Sequence, residues 1–358
     1  MKNAIKIQIS LAVGTVLTAG SASAAVPPAD AAPRNDPARP ITVKARFTKD
    51  AHRLSPAPEN DLSDYWTPER LRRAAANPAD APFTPNEHDH EHEAHGENAQ
   101  ATRIAARETQ RSVPPKAPPS AIAGQPNGQA TPANGEQEGK PAPASRTVGK
   151  VFFRNAKNKM DYSCSAAVVN SPSGNLLSTA GHCVHDSRKG DWHLNWTFAP
   201  DFAYGKQPFG LWKAEWLTSF AGWVEQERAD YDVAFVKVAA RGKSDLVRTV
   251  GGNGLETGMA RKRHLTILGY PVLPPYPGDH QYFCTGDAAP EGPRLKMPCT
   301  LTTGVSGGPW LSRYETASGV GSVNGVAANT NLKNTTLWSP YFGEAVWNLY
   351  RRADPPRP

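Results

Sequence analysis

Three stretches of this chain carry residue types that can do nucleophilic chemistry together: STAGHCV with His182, DYDVAF with Asp230 and Asp232, and TGVSGGPW with Ser306. A serine hydroxyl is a poor nucleophile at neutral pH. It needs a base to take its proton, and an imidazole base needs a carboxylate to fix its tautomer and stabilise its cation. Singly, each residue has a plainer reading: a buried histidine, a strand-end aspartate, a serine in a glycine turn. Together, in one order and with these flanks, the catalytic reading outweighs them. The pattern G-x-S-x-G at Gly304, Ser306 and Gly308 also fits a strand-to-helix nucleophile elbow, but that arrangement requires a histidine after the serine. The last histidine here is His280, so the elbow is excluded.

The order His, Asp, Ser is that of chymotrypsin-type barrels. With spacings of 50 residues from His182 to Asp232 and 74 from Asp232 to Ser306, the three stretches resemble the trypsin-like serine peptidases of the chymotrypsin fold. CSAAVV leading to TAGHCV, LGYP from Leu268, and SGGPW look closest to the bacterial branch related to glutamyl endopeptidases. The resemblance covers about residues 146–350. It implies His182 as general base then acid, Asp232 as orienting carboxylate, and Ser306 as nucleophile. Asp232 is preferred to Asp230 because it directly precedes Val233 and Ala234. The backbone N–H groups of Gly304 and Ser306 are the implied oxyanion hole, with glycine at 304 leaving room for the substrate carbonyl. No cofactor is implied.

Specificity is where the chain departs from its resemblances. Val305 stands where trypsins carry the aspartate used in activation, and Thr300 where they carry the carboxylate that selects basic residues. Ala327 and Ala328 occupy the stretch that supplies a histidine in glutamyl endopeptidases. With Thr303, these neutral residues make a candidate pocket for a small or apolar side chain. Four cysteines allow three disulfide connectivities, among which spacing does not choose. The resemblance implies Cys164 with Cys183, and by exclusion Cys284 with Cys299. Such a disulfide also removes the Cys183 thiol as a rival nucleophile.

These side chains need a scaffold. Past residue 146 come short β-branched and aromatic runs, VGKVFF, SAAVV, DVAFVKV, HLTILGY and VGSVNGVA, separated by turns such as SPSGN and LPPYPGD. They predict an all-β fold, which the resemblance specifies as two six-stranded antiparallel β-barrels. A C-terminal helix is predicted from Phe342, Val346, Trp347 and Tyr350 at helical spacing. Residues 146–358 are therefore the expected peptidase domain.

The remainder differs in kind. Residues 1–24 have two lysines, a short apolar run and small residues before the expected cleavage point, in the order of a signal peptide. Export, to the cell exterior or periplasm, is the expectation. Residues 25–145 hold much alanine and proline, are expected to be mostly disordered, and form a candidate pro-segment. Within them DYWTPERLRRAAA predicts a short helix starting at Thr67 and Pro68 and led by Tyr65 and Trp66, with docking on a partner surface and a transient helix in a linker as equal alternatives. The tract HDHEHEAH, with His88, His90, His92 and His95, has metal-ligand types, but a solvated polar run is the reading adopted. The formal charge of +7 shows no basic cluster with interleaved aromatics, which argues against nucleic acid as a partner. Protein or peptide substrates, no membrane span and a monomeric state are expected. A non-catalytic barrel that binds peptides is the alternative.

Overall fold

The computed structural model describes residues 35–48, 62, 64–79, 108–119, 138–142 and 145–355. The signal-peptide region and the His88–His95 tract lie outside them, as does much of the segment expected to be disordered.

The first half is a closed ring of six antiparallel strands. In ring order these are Trp212–Phe220, Leu194–Pro200, Val148–Arg154, Asp161–Val169, Leu176–Thr179 and Ala234–Val238, and the last pairs back onto the first. Strand periodicity sends alternate side chains to opposite faces. Val151, Phe153, Ala166 and Val168 fill the barrel with Trp196, Phe198 and Trp212. Their neighbours Phe152, Ala167 and Val169 face a second cluster with Leu268, Tyr270, Leu311 and Val323 of the other half. Both faces of these strands are buried, so they read as nearly continuous apolar runs rather than as alternation.

The second half is a ten-stranded sheet built around Arg263–Gly269, Tyr282–Glu291, Arg294–Pro298, Pro309–Glu315, Val320–Val326 and Thr336–Pro340. The all-β expectation holds, with two departures from six antiparallel strands. Gly254–Thr257 pairs in parallel with Val320–Val326. Arg111–Val113 and Lys140–Pro141 also join the sheet from far upstream. The predicted C-terminal helix spans Glu344–Ala353 and buries Val346, Leu349, Tyr350 and Ala353 along one face.

Within residues 25–145 the described pieces pack on the barrels. Pro40–Lys44 pairs with Trp216 to Phe220 of the first barrel. The predicted helix runs Pro68–Ala75, with the Thr67 hydroxyl accepting from the Arg70 N–H and proline in the first turn. Its leading aromatics dock on this chain itself. Tyr65 and Trp66 are each 1% exposed. The Trp66 indole donates to the Asn195 carbonyl at 3.0 Å, and its ring lies 5.8 Å from Phe152.

Candidate active site

His182 sits in a tight turn, Gly181–Cys183, that leaves the strand Leu176–Thr179 and is fixed by the disulfide between Cys183 and Cys164. A side chain at Gly181 would meet the Trp223 indole and the Asp232 carboxylate, so glycine is what lets the turn close on the acid. Asp232 ends the turn Ala229–Tyr231, just before the strand that begins at Ala234. Its Oδ2 accepts from His182 Nδ1 at 2.8 Å, and its Oδ1 from the His182 backbone N–H at 2.8 Å. Asp232 as a whole is only 4% exposed. With Nδ1 carrying the proton, Nε2 is left as the basic nitrogen. Asp230 instead pairs with Arg228 at 2.8 Å, which separates the two aspartates that the sequence offered.

Further side chains surround the His182 turn. His193 places Nε2 3.1 Å from the His182 carbonyl and stacks on Phe153 at 4.2 Å. Burial pushes its pKa down to about 3, so at neutral pH it is an uncharged donor that puts no competing charge beside His182. Trp223 lies edge-on to His182 at 6.1 Å and donates to the His185 carbonyl at 3.1 Å. Burial holds His185 at about 4. His182, His185, His193 and Trp223 line a cleft of about 280 Å³ together with Ala79 from the N-terminal segment.

Ser306 lies between two glycines with positive φ, Gly304 at +99° and Gly307 at +78°. A Cβ at 304 would come within 2.6 Å of the Tyr270 carbonyl, so the protein's own backbone requires glycine there as well. A side chain at Gly307 would run into the Thr179 hydroxyl and the Ser165 carbonyl and lie 3.0 Å from the Ala180 N–H. The Ser306 loop is thus pressed onto the residues that lead into His182. Ser165 clasps it: its N–H donates to the Ser306 carbonyl at 2.7 Å and its hydroxyl to the Gly304 carbonyl at 3.0 Å, while that hydroxyl accepts from the Tyr270 N–H. Gly307 N–H donates to the Ala327 carbonyl and Ala327 N–H to the Gly308 carbonyl, which seats the loop on the next strand.

No family model and no curated protein matches this sequence. Solved structures do. A thermostable serine protease, AL20, from an extremophilic microorganism is 30% identical with a TM-score of 0.55; the match covers 59% of this chain and 97% of AL20. The chain belongs to the trypsin-like serine proteases of the chymotrypsin fold. The protease Anisep from Arthrobacter nicotinovorans is 28% identical with a TM-score of 0.56, over 60% of this chain and 98% of its own. A Glu endopeptidase in complex with MPD is 17% identical with a TM-score of 0.49.

In this member of the family the disulfides pair as the resemblance implied, Cys164 with Cys183 and Cys284 with Cys299, with Cα atoms 6.1 and 6.0 Å apart. The sulfurs beside His182 are therefore bonded to each other and offer no thiolate for a metal. Of the residues expected to shape a pocket, Thr300 shares its hydroxyl with the Tyr276 phenol at 2.8 Å and accepts from the Gly139 N–H at 2.9 Å. Thr303, Ala327 and Ala328 are buried; the Thr303 carbonyl accepts from the Val272 N–H, and Ala327 bonds through its backbone to Gly307 and Gly308 of the Ser306 loop. Sequence reading missed Ser165, His185, His193 and Trp223. Ser165 reaches the site through a hydrogen bond to a carbonyl 139 residues away, His185 and His193 through the loop that follows His182, and Trp223 from the short helix Ala221–Val224; no local motif announces them.

Proposed function

We propose that this protease-fold chain is an exported serine endopeptidase that cleaves peptide bonds through an acyl-enzyme. Ser306 Oγ attacks the scissile carbonyl, His182 takes its proton and returns it to the leaving amine, and Asp232 holds the imidazole in the required tautomer. The N–H groups of Gly304 and Ser306 stabilise the oxyanion. The carrying observation is the two-point hold of the Asp232 carboxylate on His182. The neutral Thr300, tied to Tyr276, supports preference for a small or apolar side chain rather than a charged one. Two disulfides fit an extracellular protein, and no described helix is long and apolar enough to cross a membrane.

A fluorophosphonate probe should label the wild type at Ser306 and fail on Ser306→Ala. Labelling that persists in the variant, or none in the wild type, refutes the nucleophile. Turnover of casein separates this reading from a peptide-binding barrel without activity. The burial of Tyr65 and Trp66 supports retention of the described part of residues 25–145 with the domain, even if the chain is cut elsewhere in that segment.

A further inference from the structure

One strand edge runs from the N-terminal segment straight to the nucleophile loop. Along Asp161–Val169, N–H and C=O groups of residues two apart face the same side. Ser165 gives its N–H on that side to the Ser306 carbonyl. Two residues earlier, about 7 Å along the strand, Ser163 gives its N–H to the Asn77 carbonyl at 2.9 Å and accepts from the Ala79 N–H at 3.2 Å. Pro78 thereby forms a parallel bridge to Ser163. On its other side this strand is already paired, Phe152 with Ser163. Residues 77–79 therefore occupy the backbone edge that ends at the Ser306 loop, and Ala79 also lines the cleft that holds His182.

Their position is held from behind. The helix Pro68–Ala75 is anchored by Trp66 on Asn195, and by Tyr65 and Arg70 on the Asp161 carboxylate at 3.1 and 2.7 Å. Asn77 Nδ2 donates to the Asp161 carbonyl at 2.8 Å. At the helix end, the buried Lys150 ammonium donates to the Ala75 carbonyl at 2.9 Å and to the Gly278 carbonyl at 2.6 Å.

We propose that residues 77–79 are a built-in strap that competes with the substrate backbone for the Ser163 edge, so that the leaving-group half of a peptide binds only when the strap lifts. The inference rests on the proposed peptidase reading. The side follows from the chemistry: the imidazole protonates the leaving amine, so the departing half lies against the His182 cleft, where Ala79 sits. An extended peptide recruited to a free strand edge gains main-chain hydrogen bonds, and the strap makes those bonds first.

The test uses the full chain with Ala79→Pro, which removes the N–H given to Ser163 while the preceding Pro78 already has the extended backbone a following proline demands. One net hydrogen bond corresponds to roughly a three- to tenfold effect. An internally quenched peptide spanning the cleavage point should gain about that factor in kcat/KM, mainly through KM. A fluorogenic amide with residues on the acyl side alone should be unchanged. Equal values for wild type and variant on the spanning peptide, with fluorophosphonate labelling of Ser306 intact, overturn the strap and spare the peptidase. Amide hydrogen exchange at Ser163 gives an answer independent of activity: faster exchange in Ala79→Pro supports the strap, and no change refutes it. Asn77→Ala, which loosens the same segment from Asp161, should move both readouts the same way.

Discussion

Asp232 grips His182 at two points, ring nitrogen and backbone N–H, each at 2.8 Å, so one carboxylate sets both the tautomer of the imidazole and the place of the turn that carries it. Asp232→Asn keeps the shape but brings an amide NH₂ against one of two donors. We expect kcat to fall on the order of 10³- to 10⁴-fold on a peptide substrate, with circular dichroism unchanged. A loss below tenfold would mean that the pair is structural.

Ser165 satisfies the Tyr270 N–H and the Gly304 carbonyl with a single hydroxyl. Ser165→Ala leaves both buried and unmet, at a cost of about 1–3 kcal/mol in a denaturant titration. Because Gly304 borders the proposed oxyanion hole, kcat should fall with stability while KM changes little.

The two disulfides close loops of similar length, with sequence separations of 19 and 15 residues, and removing either by paired Cys→Ala should cost about 3 kcal/mol. Their effects on turnover should differ. Loss of Cys164–Cys183 frees the turn that holds His182 and should lower kcat, whereas loss of Cys284–Cys299 frees the residue next to Thr300 of the proposed pocket and should act mainly on KM, at temperatures where both variants remain folded.

Acid should destabilise the fold between about pH 6.5 and 4. Unfolded imidazoles take up protons below their ordinary pKa, near 6.5, whereas burial keeps folded His193 and His185 neutral down to about 3 and 4. Over that window the native state binds fewer protons, and each group lowers stability by up to about 1.4 kcal/mol per pH unit as pH falls. Melting temperatures from pH 8 to pH 4 should fall less steeply for His193→Phe, which keeps a ring on Phe153. An unchanged slope would assign the acid loss to other groups.

Trp66→Ala should cost about 3–5 kcal/mol, the usual penalty for emptying a buried aromatic site. A thermal shift of the full chain measures it. A negligible change would show that the helix Pro68–Ala75 is dispensable to the barrels.

Where composition and spacing carry the information locally, the sequence was readable. The order of His182, Asp232 and Ser306, the apolar runs of the strands, the Thr67 and Pro68 helix start and the terminal helix all follow from short stretches. Contacts set by long-range register were not. Nothing near Ser165 says that its hydroxyl meets a carbonyl 139 residues away, and nothing near His193 says that it supports His182. The proline-rich composition of residues 25–145 likewise hides short pairing segments, because three to five residues of strand leave almost no mark on an average.

The segment Pro40–Lys44 has a practical bearing on how this protein is handled. Leu194–Pro200 pairs with Trp212–Phe220 only through Lys213 and Trp212, and from Trp216 to Phe220 the upstream strand completes the wall. A fragment begun at Arg146, the obvious cut from motif boundaries, would bare five residues of unpaired backbone flanked by aromatic side chains. Such an edge recruits other chains, so the shortened product should clump on concentration while the longer one stays dispersed.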